Sequence, residues 1–167
     1  KVMLDVIRSG PILPVRLLDF GCGASHLYDY ILRKELSYIE YSGLDISHNF
    51  LNLSITKHPH IKYSLLDILK DGNLDILPFF DYVVMNGVFT VKRDISFENM
   101  FDYTKEVIRK MFGKVQIGMA FNFMSKQVDW EREDLFHVPF DLIAEFLTKE
   151  ISRNFVFRHD YGLYEYT

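Results

Sequence analysis

The sequence predicts a doubly wound α/β domain, a mostly parallel sheet with helices on both faces and an antiparallel hairpin at its C-terminal end. Three observations predict it. Short apolar runs alternate with longer stretches of helical spacing. A glycine-rich turn joins the first apolar run to the stretch after it. Beyond the last helical stretch the chain reads only as strand, with two runs flanking the turn-prone HDYG.

Taken in order, Val2 to Ile7 reads as a helix, and strands are expected at Val15–Phe20, Tyr41–Ile46, Ile61–Leu66, Tyr82–Phe89 and Val115–Phe123. Ser25 is placed to cap a helix beginning at His26. A further helix is expected to start near His48. The clearest helix is Phe97 to Phe112, with Met100, Phe101, Val107, Ile108, Met111 and Phe112 on one face and Lys105, Glu106, Arg109 and Lys110 on the other. Ser96 stands at its N-cap, and Gly113 sits where a glycine stop belongs. Leu142, Ile143, Phe146 and Leu147 mark another helix, entered through Pro139. The last two strands are expected at Asn154–Phe157 and Leu163–Tyr166.

A chain of 167 residues, half of them hydrophobic, is sized for one core, so residues 1–167 are expected to form one domain. It opens inside a helix-like stretch and stops inside a strand-like one, which suggests a segment shorter than the natural protein at one or both ends. A formal net charge of -4 argues against duplex nucleic acid as a partner. No apolar run approaches the ~20 residues of a membrane-spanning helix. The lone Cys22 excludes an internal disulfide framework, so the expected location is the cytoplasm.

Ligands of open α/β sheets bind beyond the carboxyl ends of the strands, so the residues just past each strand matter most. The first strand ends in LLDFGCGASHL, where Gly21 and Gly23 can take positive φ and the next helix start offers N–H groups to an anion. The second ends in YSGLDIS, with Asp45 a little over 20 residues after the glycines, a spacing at which an acid meets ribose hydroxyls in nucleoside-binding folds. The third ends in YSLLDIL and puts Asp67 at the same edge, able to accept from an adenine amino group, while Ile46 and Ile68 supply apolar walls for a base. The fourth ends in VVMNGVFT, where Asn86 and Gly87 lie opposite the reacting end of a ligand lodged against the first loop.

This ordered set, D-x-G-x-G, then an acid, a second acid and Asn-Gly, resembles the class I S-adenosylmethionine-dependent methyltransferases over roughly Val15 to Phe123. The resemblance implies a Rossmann-like fold and S-adenosylmethionine as cofactor. Asp19, Gly21 and Gly23 would then hold the methionine end, Asp45 the ribose and Asp67 the adenine edge. Ser25 replaces the family's frequent third glycine. More loosely, FNFMS at Phe121–Ser125 and RHDYGLYEYT at Arg158–Thr167 resemble small bacterial methyltransferases associated with surface-polysaccharide gene clusters. That implies a small-molecule or sugar acceptor.

A sulfonium methyl donor is already activated, so the protein must chiefly place a nucleophile and exclude water. An acceptor hydroxyl or ammonium also needs a base, for which His137, in the polar insertion KQVDWEREDLFHVP, is the candidate, with Asn122 as an orienting residue. His48, His58 and His60 lack partners for a closed metal site, and no metal is expected. A nicotinamide oxidoreductase shares G-x-G and a later acid, but His26 stands where its third glycine belongs. N-G-V-F faintly resembles the tetrad of nucleic-acid amino-methyltransferases but lacks its prolines. A fold retained for binding or regulation without turnover is the rival from a different class. The motifs carry no information on oligomeric state.

Overall fold

The computed structural model describes residues 1–7, 13–70 and 72–167. Its centre is a five-stranded parallel sheet built from β1 (Val15–Phe20), β2 (Ile39–Asp45), β3 (Lys62–Leu65), β4 (Phe80–Met85) and β5 (Val115–Phe121), in spatial order β3-β2-β1-β4-β5. The order reverses between β1 and β4, so a crevice opens at their carboxyl ends. Helices α1 (His26–Arg33), α2 (His48–Lys57) and α3 (Phe97–Phe112) connect the strands, preceded by a 3-10 turn at Val2–Val6.

Alternation along the strands divides the core into two layers. Leu17, Tyr41, Tyr82 and Val84 pack on one face with Tyr28 and Ile31 of α1 and Met3 of the first turn. Leu18, Leu44, Val83 and Met85 pack on the other with Met100, Val107, Ile108 and Met111 of α3. The doubly wound reading of the sequence is the observed fold.

The C-terminal elements form a second, three-stranded sheet. Strand β6 (Phe123–Ser125) lies between β7 (His137–Val138), which is parallel to it, and β8 (Glu165–Tyr166), which is antiparallel. Between β7 and β8 runs α4 (Phe140–Phe146), extended by a π-helical turn at Leu147–Ile151. Phe123, Val138 and Tyr166 turn one face of this sheet into the main core. Register places Met124, His137 and Glu165 together on the other face.

Several local expectations are corrected. The fifth apolar run is two strands, because Asn122 breaks the ladder between β5 and β6. The fourth strand stops at Met85, and Asn86 to Phe89 form a turn. Asn154–Phe157 is not a strand, and the antiparallel partner of the last strand is β6. The chain does fold back there, since Arg158 and Thr167 exchange two backbone hydrogen bonds of 2.7 and 2.9 Å. The Ser96 cap of α3 is present, accepting from the Asn99 N–H at 3.2 Å. Gly113 keeps a right-handed φ of -65°, so it ends α3 without the left-handed turn a glycine stop implies.

Candidate functional site

The crevice beyond β1 and β4 is a cleft of about 230 Å³. Gly21, Asp45, Ile46, Asp67, Ile68, Asn86 and Gly87 all line it, so the residues at the ends of four successive strands converge there. Gly23 and Asp19 are not among its lining residues and act on it through the loop.

The glycine loop is fixed by its neighbours. Gly21 and Cys22 both donate their N–H to the Leu44 carbonyl, at 2.8 and 3.0 Å. Gly21 has φ +71°, and a Cβ there would lie 2.7 Å from Val88 Cγ2. Both conformation and space therefore require glycine. Gly23, at φ +52°, donates its N–H to Asp45 Oδ2 at 2.8 Å, while Asp45 Oδ1 accepts from the Ser47 N–H, also at 2.8 Å. A carboxylate offers about four acceptor positions. Two of Asp45's are used on backbone and two remain for a ligand's paired hydroxyls.

Ser25 corrects the sequence reading. It adopts a left-handed φ of 59° and makes no side-chain cap of α1. Its hydroxyl donates to Ser54 Oγ at 2.8 Å and lies 2.8 Å from the Tyr63 hydroxyl, and Ser54 Oγ donates to the Gly23 carbonyl at 2.8 Å. Since Ser25 spends its proton on Ser54, Tyr63 is the donor to Ser25. The result is a one-way chain of hydroxyls ending on the loop. Ser25 thus fills the third-glycine position by tying the loop to α2 and β3.

Asp19 is buried at the end of β1, where Oδ2 accepts from the Tyr41 hydroxyl at 2.8 Å. Burial pushes its pKa up to about 7, against the Tyr41 hydrogen bond and with help from the Asp45 charge. Burial likewise pushes the Cys22 thiol up to about 12, leaving it a packing group. Asp67 Oδ1 accepts from the Leu69 N–H at 3.0 Å, which fixes the carboxyl at the cleft's edge. Ile68 is buried beneath it, and Ile46 is 69% exposed as the outer wall.

Asn122 and His137 lie elsewhere. Asn122 is buried, its Oδ1 accepting from the Gly87 N–H at 2.8 Å and its Nδ2 donating to Glu165 Oε2 at 2.6 Å. It braces from behind the turn that lines the cleft. His137 is buried in β7, with Nδ1 2.6 Å from the Ser125 carbonyl and Nε2 accepting from the Arg132 N–H at 3.3 Å. A carbonyl only accepts, so Nδ1 is the donor to Ser125, and both ring nitrogens are engaged. It lines a different cavity.

A methyltransferase-domain family profile matches residues 18–115, from within β1 to the start of β5. The chain belongs to this methyltransferase family. Over 156 residues the chain is 23% identical to a protein of Mycobacterium tuberculosis (strain ATCC 25618 / H37Rv) named Putative methyltransferase Rv1506c. That alignment covers 92% of this chain and 91% of the relative. Among solved structures, the CurJ carbon methyltransferase superposes with a TM-score of 0.65 at 16% identity, over 95% of this chain and 48% of that one. The plantazolicin methyltransferase BpumL in complex with SAH superposes with a TM-score of 0.62 at 15% identity, over 88% of this chain and 58% of its own. The chain therefore spans about half the length of these structures, and what they share is the fold. Among the described residues, no group of three or more His, Cys, Asp or Glu is arranged to hold a metal ion, and no helix is long and apolar enough to cross a membrane.

Sequence reasoning missed Val88, Tyr103 and Glu165, besides the apolar lining at Phe20, Leu44, Leu66, Leu69 and Val107. Val88 and Tyr103 line the cleft, Tyr103 from α3 with its phenol pushed up by burial and by the Asp67 charge. Tyr103 lies one turn before Val107 of the buried stripe, a spacing that could have marked it. Glu165 is the third, and nothing near it in sequence signals its contact with Asn122.

Proposed function

We propose that the chain transfers a methyl group from S-adenosylmethionine to a small-molecule acceptor. The observation that carries this is the convergence of Gly21, Asp45, Asp67 and the Asn86–Gly87 turn on one cleft at the topological switch of the sheet. The donor set fits an adenosyl group: Asp45 retains acceptor positions for two ribose hydroxyls, Asp67 has an oxygen for an exocyclic amine, and Ile46 and Ile68 give apolar walls for a base. When bound, the cofactor supplies an electrophilic methyl on sulfur.

The chain's own residues do the rest. Asp45, the Gly23 N–H and the hydroxyl chain hold the loop in its binding shape before any ligand arrives, so ordering costs little at binding. Asn122 is a positioning residue that fixes the Gly87 turn. His137, bonded internally through both ring nitrogens, stabilises the wall formed by β6 and β7.

Calorimetric titration with S-adenosylhomocysteine, with NADH as comparison, tests the reading. Binding of the first and none of the second is expected. Asp45→Ala removes both the loop brace and the ribose acceptor, and should weaken binding by about a hundredfold or more. NADH binding without any response to S-adenosylhomocysteine would overturn the proposal.

A further inference from the structure

In spatial order β3-β2-β1-β4-β5, the carboxyl edge of the sheet carries Asp67, Asp45, Gly21, the Asn86–Gly87 turn and last Asn122, which directly follows β5. With an adenosyl group in the cleft, that order runs from adenine through ribose to the methionine end and the reacting centre at the Gly87 turn. The acceptor has to approach from the next position along, at the end of β5.

A carboxylate stands there. Glu165 is half-buried, and its Oε2 accepts from Asn122 Nδ2 at 2.6 Å while Asn122 Oδ1 accepts from the Gly87 N–H at 2.8 Å. Two hydrogen bonds and one amide group keep that oxygen within about 8 Å of the Gly87 nitrogen. Such a span holds one acceptor nitrogen about 3 Å from the carboxylate and about 3 Å from a methyl group carried at the turn. Glu165 lies outside the lining of the cofactor's cleft and one strand beyond it, where a group that touches the acceptor and not the cofactor belongs.

The carboxylate also lacks a counter-charge. Asn122 is its one hydrogen-bond partner among the described residues, and no lysine, arginine or histidine pairs with it there. Arg158, the nearest arginine in the sequence, is engaged by Asp5 and Asp160. A carboxylate offers about four acceptor positions, and the partner that best fills those left on Oε1 is a cationic N–H donor.

We propose that Glu165 is the acceptor-side contact and that the acceptor is an amine, held by N–H donation to Oε1 beside the Gly87 turn. The proposal rests on the methyl-transfer reading above. The amine enters as an ammonium and gives one proton to the carboxylate, which frees its lone pair. That pair forms the N–C bond while the C–S bond breaks with its electrons left on sulfur. A methylated ammonium, a thioether and one proton passed on to water balance the starting ammonium and sulfonium. An anionic acceptor meets like charge at Glu165.

Sinefungin, an analogue of the methyl donor with an amine-bearing carbon in place of the methylated sulfur, puts an ammonium where the transferred methyl would sit. S-adenosylhomocysteine has no group there. Calorimetric titration of the intact chain with each ligand therefore reads Glu165 with no acceptor present. Sinefungin should bind about tenfold tighter than S-adenosylhomocysteine. Glu165→Gln keeps an oxygen for Asn122 and loses the charge. It should bring the two affinities within about twofold of each other, with S-adenosylhomocysteine binding and the melting temperature unchanged. A residue that only braced Asn122 would not distinguish the two ligands. Equal affinities in the wild type, which need no variant to measure, or a preference that survives Glu165→Gln would overturn the proposal and leave methyl transfer standing. Failure of both ligands to bind would overturn the methyl-transfer reading itself and this proposal with it.

Discussion

Replacing Asp19 by Asn should remove the pH dependence that this one carboxyl imposes on the fold. Asp19 is 3% exposed, and burial carries its pKa from an ordinary 3.8 to about 7. Between those values the folded chain keeps a proton that the unfolded chain has released, so stability falls as pH rises. The contribution is fully present below the unfolded value and is lost as pH passes through about 7. The slope is about 1.4 kcal/mol per pH unit, and the whole interval amounts to on the order of 4 kcal/mol. Asparagine keeps an oxygen for the Tyr41 hydroxyl and has no charge to bury. Urea unfolding of both proteins across that interval should therefore show the variant gaining on the wild type as pH rises, by about 3 kcal/mol over two pH units. A stability difference that stays flat with pH would refute the reasoning, because it would mean that Asp19 is already ionised in the folded chain.

Two other substitutions probe the loop and its brace. Gly21→Ala forces a side chain into a left-handed backbone and against Val88, and should cost about 1–3 kcal/mol in urea unfolding while weakening S-adenosylhomocysteine in calorimetry. Asn122→Ala strands the Gly87 N–H and the Glu165 carboxylate together, with an expected loss of about 2–3 kcal/mol by thermal or urea unfolding and faster hydrogen exchange at the Gly87 amide.

The cleft was legible in the sequence because its residues sit at fixed offsets from strand ends. A parallel sheet brings all those ends to one edge, so residues at or just past the ends of successive strands, Gly21, Asp45, Asp67 and Gly87, converge there. The fold was legible for the same reason, and α3 emerged with its observed ends because Ser96 and the Met100–Met111 stripe are both local signals. The features that stayed hidden depend on partners far along the chain. Ser25 looks like a helix cap until Ser54 and Tyr63 are seen to claim its hydroxyl. His137 looks like a base until β6 and the Arg132 backbone are seen to occupy both its nitrogens. The C-terminal run looks like a self-paired hairpin because nothing local shows that β6 detaches from the main sheet and takes β8 as a partner.

The brace through Asn122 also imposes an order on synthesis. Residues 15–121 contain every strand of the parallel sheet, so that sheet can assemble while the chain is still emerging from the ribosome. The Gly87 turn, made early, receives its final support only when Glu165 has been added about eighty residues later and closes on Asn122. Until then the nascent chain has its sheet, but the Gly87 turn lacks the Glu165 end of its brace.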